Sequence, residues 1–294
     1  MTMQVFLQQC ATGISIGSVY ALLAVGYALV FSVFNFSNFG FGPIMMLGTF
    51  AAFYAIPLLN LPLLAGIVLA MVVAGIISVF MELTIYRPMR KRNAMKLYLM
   101  IAALGISTFV PNFAIQLFGG GVRAFPSEWA KAVVDLGGVV IPRADILAAV
   151  LSLTMLAVLW LFLYKSKTGL GIRASSFDTS TTALMGINVN FVAIVIFALS
   201  GAAAGLAGCF YGMKYSVYPN MGTVAMKGFV ASTVGGLGSL PGAVFSGLLL
   251  GFLETMISSY VSTTYRDLVA YGLLVLVLIF KPNGLFGKGV HDKL

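Results

Sequence analysis

Predominantly apolar residues run from Val5 to Phe31, and similar runs recur near residues 62–86, 96–118, 144–164, 190–212 and 241–260. A hydrocarbon core about 30 Å thick takes about 20 helical residues at 1.5 Å each, so each run predicts a membrane-spanning helix. Leu268–Phe280 is shorter but ends at Lys281-Pro282-Asn283-Gly284, a firm helix stop. Residues 44–57 and 223–237 reach only roughly 22 Å as helix and border Gly/Pro-rich breakers. They are predicted to cross as short or broken helices. The fold class is therefore all-α, a polytopic transmembrane bundle formed by residues 1–294 as a single domain.

The charges set the topology. The first 86 residues carry one formally charged side chain, Glu82, whereas the next ten, Arg87 to Lys96, carry five positive ones. Buried charge is costly in lipid, and Lys and Arg resist translocation. Further basic clusters lie at Lys165, Lys167 and Arg173, and at Lys281, Lys288 and Lys293. Placing all three on the cytoplasmic side leaves residues 119–142 outside. About nine crossings follow if the short 223–237 segment spans, with the N-terminus outside; eight is the nearest competitor.

A hydrophobic content of 60%, a charged content of 9% and a mean hydropathy of +1.04 exclude a soluble domain. The net charge of +9 sits at the ends of apolar runs, so it reads as topology rather than a nucleic-acid surface. Cys10 and Cys209 lie inside apolar segments and read as packed thiols. The N-terminus lacks a basic n-region and a cleavage site, so its apolar run is expected to be retained. Phe39-Gly40-Phe41-Gly42-Pro43 and Gly236-Leu237-Gly238-Ser239-Leu240-Pro241-Gly242 occupy similar places in a weak internal echo. Such breakers face each other across the path in repeat-built transporters. Gly201, Gly205 and Gly208, and Gly242, Gly247 and Gly251, suit close helix contacts.

Enzyme readings fail on inventory. The only histidine is His291, so Ser239 has no partner for a Ser-His dyad, and no Cys/His spacing suits a metal. Gly284–Gly289 lacks the spacing and the Ser/Thr of a phosphate-binding loop. A non-catalytic chain is expected, with any ATP hydrolysed elsewhere.

The loop from Lys165 to Asn190 is too polar for lipid. It has helix-start chemistry at Ser176 and Asp178 before an apolar knob, Ala183-Leu184-Met185. It suits docking into a partner's groove or lying on the inner membrane surface. Thr168-Gly169-Leu170-Gly171-Ile172-Arg173-Ala174, with Asp178, Thr179 and Ala183-Leu184-Met185-Gly186-Ile187-Asn188, resembles the ATPase-facing loop of permeases from branched-chain amino acid ABC importers, the LivH type. The resemblance continues at Asn38-Phe39 with Gly42, Tyr86-Arg87-Pro88-Met89-Arg90, Gly235–Ala243 and Pro282–Gly287. It implies a multi-pass subunit of a bacterial inner membrane that moves branched-chain or related hydrophobic amino acids inward. The implied partners are a second, LivM-like permease, two ATPase subunits and a periplasmic solute-binding protein, with ATP and Mg on the ATPases and no cofactor on this chain.

The chain departs from the family at Asn38-Phe39-Gly40-Phe41-Gly42-Pro43, where the family typically reads Asn-Phe-Ala-His-Gly-Glu. That change leaves room for another small amphipathic solute, such as an amide, a urea-like compound or an aromatic acid. A self-sufficient channel or secondary carrier is the competing class. Asn38, Phe41 and Gly42 are expected to line the solute path with Gly236, Gly238 and Ser239. Asp178, Ala183, Leu184, Met185 and Gly186 are expected to couple to an ATPase. Phe125, Pro126 and Trp129 are expected to help dock the binding protein. Glu82 and Glu254 are the carboxylates embedded in apolar spans; Glu82 lies near Arg87, and Glu254 is expected to make an interhelical contact, Lys227 being one candidate.

Overall fold

The computed structural model describes residues 3–126, 132–135 and 139–287. Its helices are α1 (Met3–Phe34), α2 (Phe41–Leu58), α3 (Leu63–Met81), α4 (Arg87–Lys91), α5 (Lys96–Phe118), α6 (Arg143–Lys165), α7 (Lys167–Phe177), α8 (Thr179–Leu184), α9 (Val189–Lys214), α10 (Ala225–Gly235), α11 (Leu240–Tyr260) and α12 (Arg266–Phe280). A π turn, Glu82–Tyr86, joins α3 to α4, and a 3-10 turn, Pro219–Val224, leads into α10. A small antiparallel pair, β1 (Val133–Asp135) and β2 (Val140–Pro142), precedes α6.

Among the described residues, eight helical segments are long and apolar enough to cross a membrane. The first and last described segments lie at opposite ends of the bundle, which requires an odd number of passages between them. Near the start, Ser259 donates to Gln9, so α1 begins beside the end of α11. Near the other terminus, Leu285 and Phe286 donate to the carbonyls of Val234 and Gly235. That end also holds the close of α1, where Gly238 lies against Ser32. Among the described residues the ninth passage is the broken one, the 3-10 turn followed by the 11-residue α10. This is the short span expected at 223–237, displaced a few residues toward the N-terminus.

A helix that is apolar all round belongs in the interior, and α1 is the axis of the fold. It packs against α11, α10, α9 and α6. Small residues let the backbones approach. Gly17 and Gly251 touch, Gly247 meets Ala21, and on the other flank Gly201 and Gly205 of α9 lie on Ala74 and Ala70 of α3. Helices α5 and α12 are peripheral, with many exposed Leu, Val, Ile and Phe side chains.

Candidate functional site

The chain breaks after α1 and turns back into the bundle. Asn35 takes φ +52°, which allows the reversal. The Asn38 side-chain carbonyl accepts the Gly40 N–H at 3.0 Å and the Tyr86 hydroxyl at 2.6 Å. Phe41 then opens α2 fully buried, its ring against Gly26 and 4.8 Å from the Tyr27 ring. Gly42 lies backbone to backbone on Gly222, and a Cβ on either would strike the other's carbonyl oxygen. The two broken segments of the fold therefore meet at these glycines.

The echo in the sequence pointed to a different partner. Gly236 and Gly238, at φ +103° and +85°, shape the turn between α10 and α11, and Ser239 caps α11 by accepting the Gly242 N–H. Gly236 packs on Gly287 and Gly238 on Ser32. The six expected path residues thus fall in two places, with Asn38, Phe41 and Gly42 at the inner crossing and Gly236, Gly238 and Ser239 at the end of the bundle.

At that same end Glu82 is wholly buried and held by Arg90 through two bonds of 2.8 and 2.5 Å, with Arg87 at 3.6 Å. The expected pairing with Arg87 is present, and Arg90 is the stronger partner. Arg87 also donates to the Asn190 carbonyl at the start of α9, at 3.2 Å. The π turn carries Tyr86 from this clamp to Asn38.

Between α6 and α9 the loop folds into two helices. Ser166 caps α7 by accepting the Gly169 N–H at 2.8 Å. Asp178 caps α8 by accepting from Ser180 and Thr181 at 2.9 and 3.1 Å. A bond from the Thr181 hydroxyl, then these two N–H groups, holds the Asp178 carboxyl below its ordinary range. Gly186, at φ +83°, ends α8 by donating to Ala183 O while Ile187 donates to Thr182 O. Ala183 is exposed, Leu184 is 89% exposed and Met185 76%. The helix before Asp178 was not expected; its signal is Ser166 three residues before Gly169.

The opposite end holds charge networks of which sequence reasoning named only the Lys227–Glu254 contact. Glu254, 1% exposed, meets Lys227 of α10 and, at 3.0 Å, Arg266 of α12. Lys227 reaches Asp267 at 2.9 Å, and Arg266 donates to the Tyr215 hydroxyl at 3.0 Å. Asp145 is buried in the first turn of α6. It binds Lys214 at 2.6 Å and Ser15 at 3.1 Å. A cavity of about 10 Å³ beside it has room for roughly one water. Of the three residues expected to dock the binding protein, Phe125 is buried against Gly212 and Pro126 is half-buried. Trp129 lies outside the described residues. No cluster of His, Cys, Asp or Glu among the described residues could hold a metal.

An apolar bundle with a broken inner crossing and an outward-facing two-helix loop defines a polytopic membrane permease. The profile of the family described as the branched-chain amino acid transport system permease component matches residues 9–278, and the chain belongs to that family. It is 35% identical to the high-affinity branched-chain amino acid transport system permease protein BraD of Pseudomonas aeruginosa, over 98% of each chain. It is 34% identical to the corresponding permease protein LivH of Escherichia coli K12, again over 98% of each. Among solved structures it resembles a chain of PsaBC from Streptococcus pneumoniae in complex with Fab. The TM-score is 0.51 at 16% identity, covering 96% of this chain and 94% of that one, a likeness of fold.

Proposed function

We propose that the chain is the membrane-spanning subunit of an ATP-driven importer for branched-chain or related hydrophobic amino acids in a bacterial inner membrane. It works with a second permease of similar build, two ATPase subunits that carry ATP and Mg, and a periplasmic binding protein. The observation that carries this reading is the tip of α8. Leu184 and Met185 are exposed at the end of a helix with a cap at each terminus, an apolar knob that no side chain among the described residues covers. Such a knob suits a groove on an ATPase. Arg87, bonded to the end of this loop at Asn190, offers a physical contact from the knob to the Glu82 clamp. The solute path follows the seam of Asn38, Phe41 and Gly42 against the 3-10 turn, with Gly236, Gly238 and Ser239 at its cytoplasmic mouth. Unwound backbone in a membrane protein must be buried in protein or line a wet cavity.

Met185→Asp tests the reading, since a carboxylate desolvated in the ATPase groove without a partner is costly. Uptake by the reconstituted complex should vanish and the ATPase should no longer co-purify, while expression and binding-protein affinity persist. Normal uptake by a well-expressed variant, or transport by this chain in liposomes without an ATPase, would overturn it.

A further inference from the structure

Helices α6 and α11 both pack on α1 but leave between them a groove of about 450 Å³. Val25, Leu156, Trp160, Leu163, Val244 and Phe245 are among its walls, so it is apolar throughout. It lies in the half of the bundle where α6 ends and α11 begins. Chemistry of a different kind continues from its mouth. The Trp160 ring lies tilted against Tyr164 with centroids 5.1 Å apart, and the Arg173 guanidinium lies 4.9 Å over the Tyr164 ring. The buried Arg173 Nε has no hydrogen-bond partner. Lys165 and Lys167, at the end of α6 and the start of α7, are exposed. None of the three makes an ion pair among the described residues, because Glu82, Asp145, Glu254 and Asp267 are engaged elsewhere. Asp178, the nearest carboxylate in sequence, is taken up by its own helix cap.

We propose that this groove is a binding site for an anionic phospholipid, an acyl chain lying along Trp160 and Val244 and the phosphate held by Arg173, Lys165 and Lys167. The charge complementarity selects the occupant. A free anion would satisfy the basic trio but leave the groove uncovered, and an apolar helix would fill the groove but leave the guanidinium unpaired. A lipid with a negative headgroup answers both, and aromatic residues with basic neighbours mark the depth at which headgroups sit. The site also gives α7 a role distinct from α8. Leu170 and Phe177, 59% and 91% exposed, suit the boundary layer next to that headgroup.

Photo-crosslinking in nanodiscs tests this with the intact transporter. A phosphatidylglycerol carrying a diazirine in its acyl chain should label the peptides 156–163 and 240–248 several-fold more than a phosphatidylcholine probe at equal mole fraction. The variant K165Q/K167Q/R173Q should bring the two probes to parity, and Val244→Trp, which fills the groove, should lower labelling by both. Should the triple variant misfold, Lys167→Gln alone should reduce the preference in a protein with unchanged thermal unfolding. Equal labelling of the native protein by both probes, or crosslinks from the groove to another protein chain in place of lipid, would overturn the proposal.

Discussion

Glu82 and Glu254 are equally buried carboxylates, yet they are held in opposite ways. The partners of Glu82 follow within eight residues on the same helical run, so its charge is balanced before any other element arrives. Glu254 draws Lys227 from 27 residues back and Arg266 from 12 residues on, and its charge is balanced only when α10, α11 and α12 are assembled. The first pair secures a turn. The second network secures the broken passage to two intact helices, which suits a segment too short to anchor itself by apolar burial.

The largest effect should come from Glu254→Ala, which leaves Lys227 and Arg266 together in the interior. Breaking a buried pair costs about 3–5 kcal/mol, and the low end applies because these cations are 15% and 24% exposed and Asp267 still serves Lys227. Thermal unfolding in nanodiscs should show it. Glu82→Ala should cost less, about 1–2 kcal/mol, because Arg87 and Arg90 can extend toward the polar boundary. A larger loss at Glu82 than at Glu254 would reverse the contrast. Replacing Glu254, Lys227 and Arg266 together by Met should restore stability to within about 1 kcal/mol of the native chain. If the triple variant is as unstable as Glu254→Ala, the network supplies geometry that packing cannot.

The smallest effect concerns a carboxylate of the exposed kind. The Asp178 value is depressed in the folded protein, so its cap stabilises α8 above the ordinary carboxylate range and is lost as pH falls through the lowered folded value. Protection factors of the α8 amides, corrected for the intrinsic pH dependence of exchange, should stay flat from neutrality to about pH 5 and fall only below about pH 4. Asp178→Asn should abolish that dependence, and an α8 that loosens near pH 6 would sink the assignment.

The same contrast explains what could be read without coordinates. The spans, the Glu82–Arg87 contact and the Asp178 cap all rest on neighbours a few residues apart, where composition and spacing carry the physics. Glu254 with Arg266, Asp145 with Lys214, and Gly42 with Gly222 join residues whose meeting depends on how helices cross. Lys227 could be named as a candidate for Glu254, but Arg266 could not. Glycine motifs are especially ambiguous. Gly236 and Gly238 looked like the counterpart of Gly42 because they share its local pattern, whereas Gly222 sits in a less distinctive stretch and makes the contact. The burial of Phe125 is of the same kind, since its contact with Gly212 joins residues far apart in the chain.

The π turn at Glu82–Tyr86 places a constraint on chain length that no side chain reveals. It holds one residue more than an α-helical turn would, and both its first and last residues face inward. Deleting Leu83 would let the helix run on regularly and swing everything beyond by about 100°. Tyr86 would leave Asn38, and Arg90 would leave Glu82, although every residue involved would still be present. The segment should therefore accept changes of identity at its exposed positions, Leu83 and Thr84, far more readily than any change in their number.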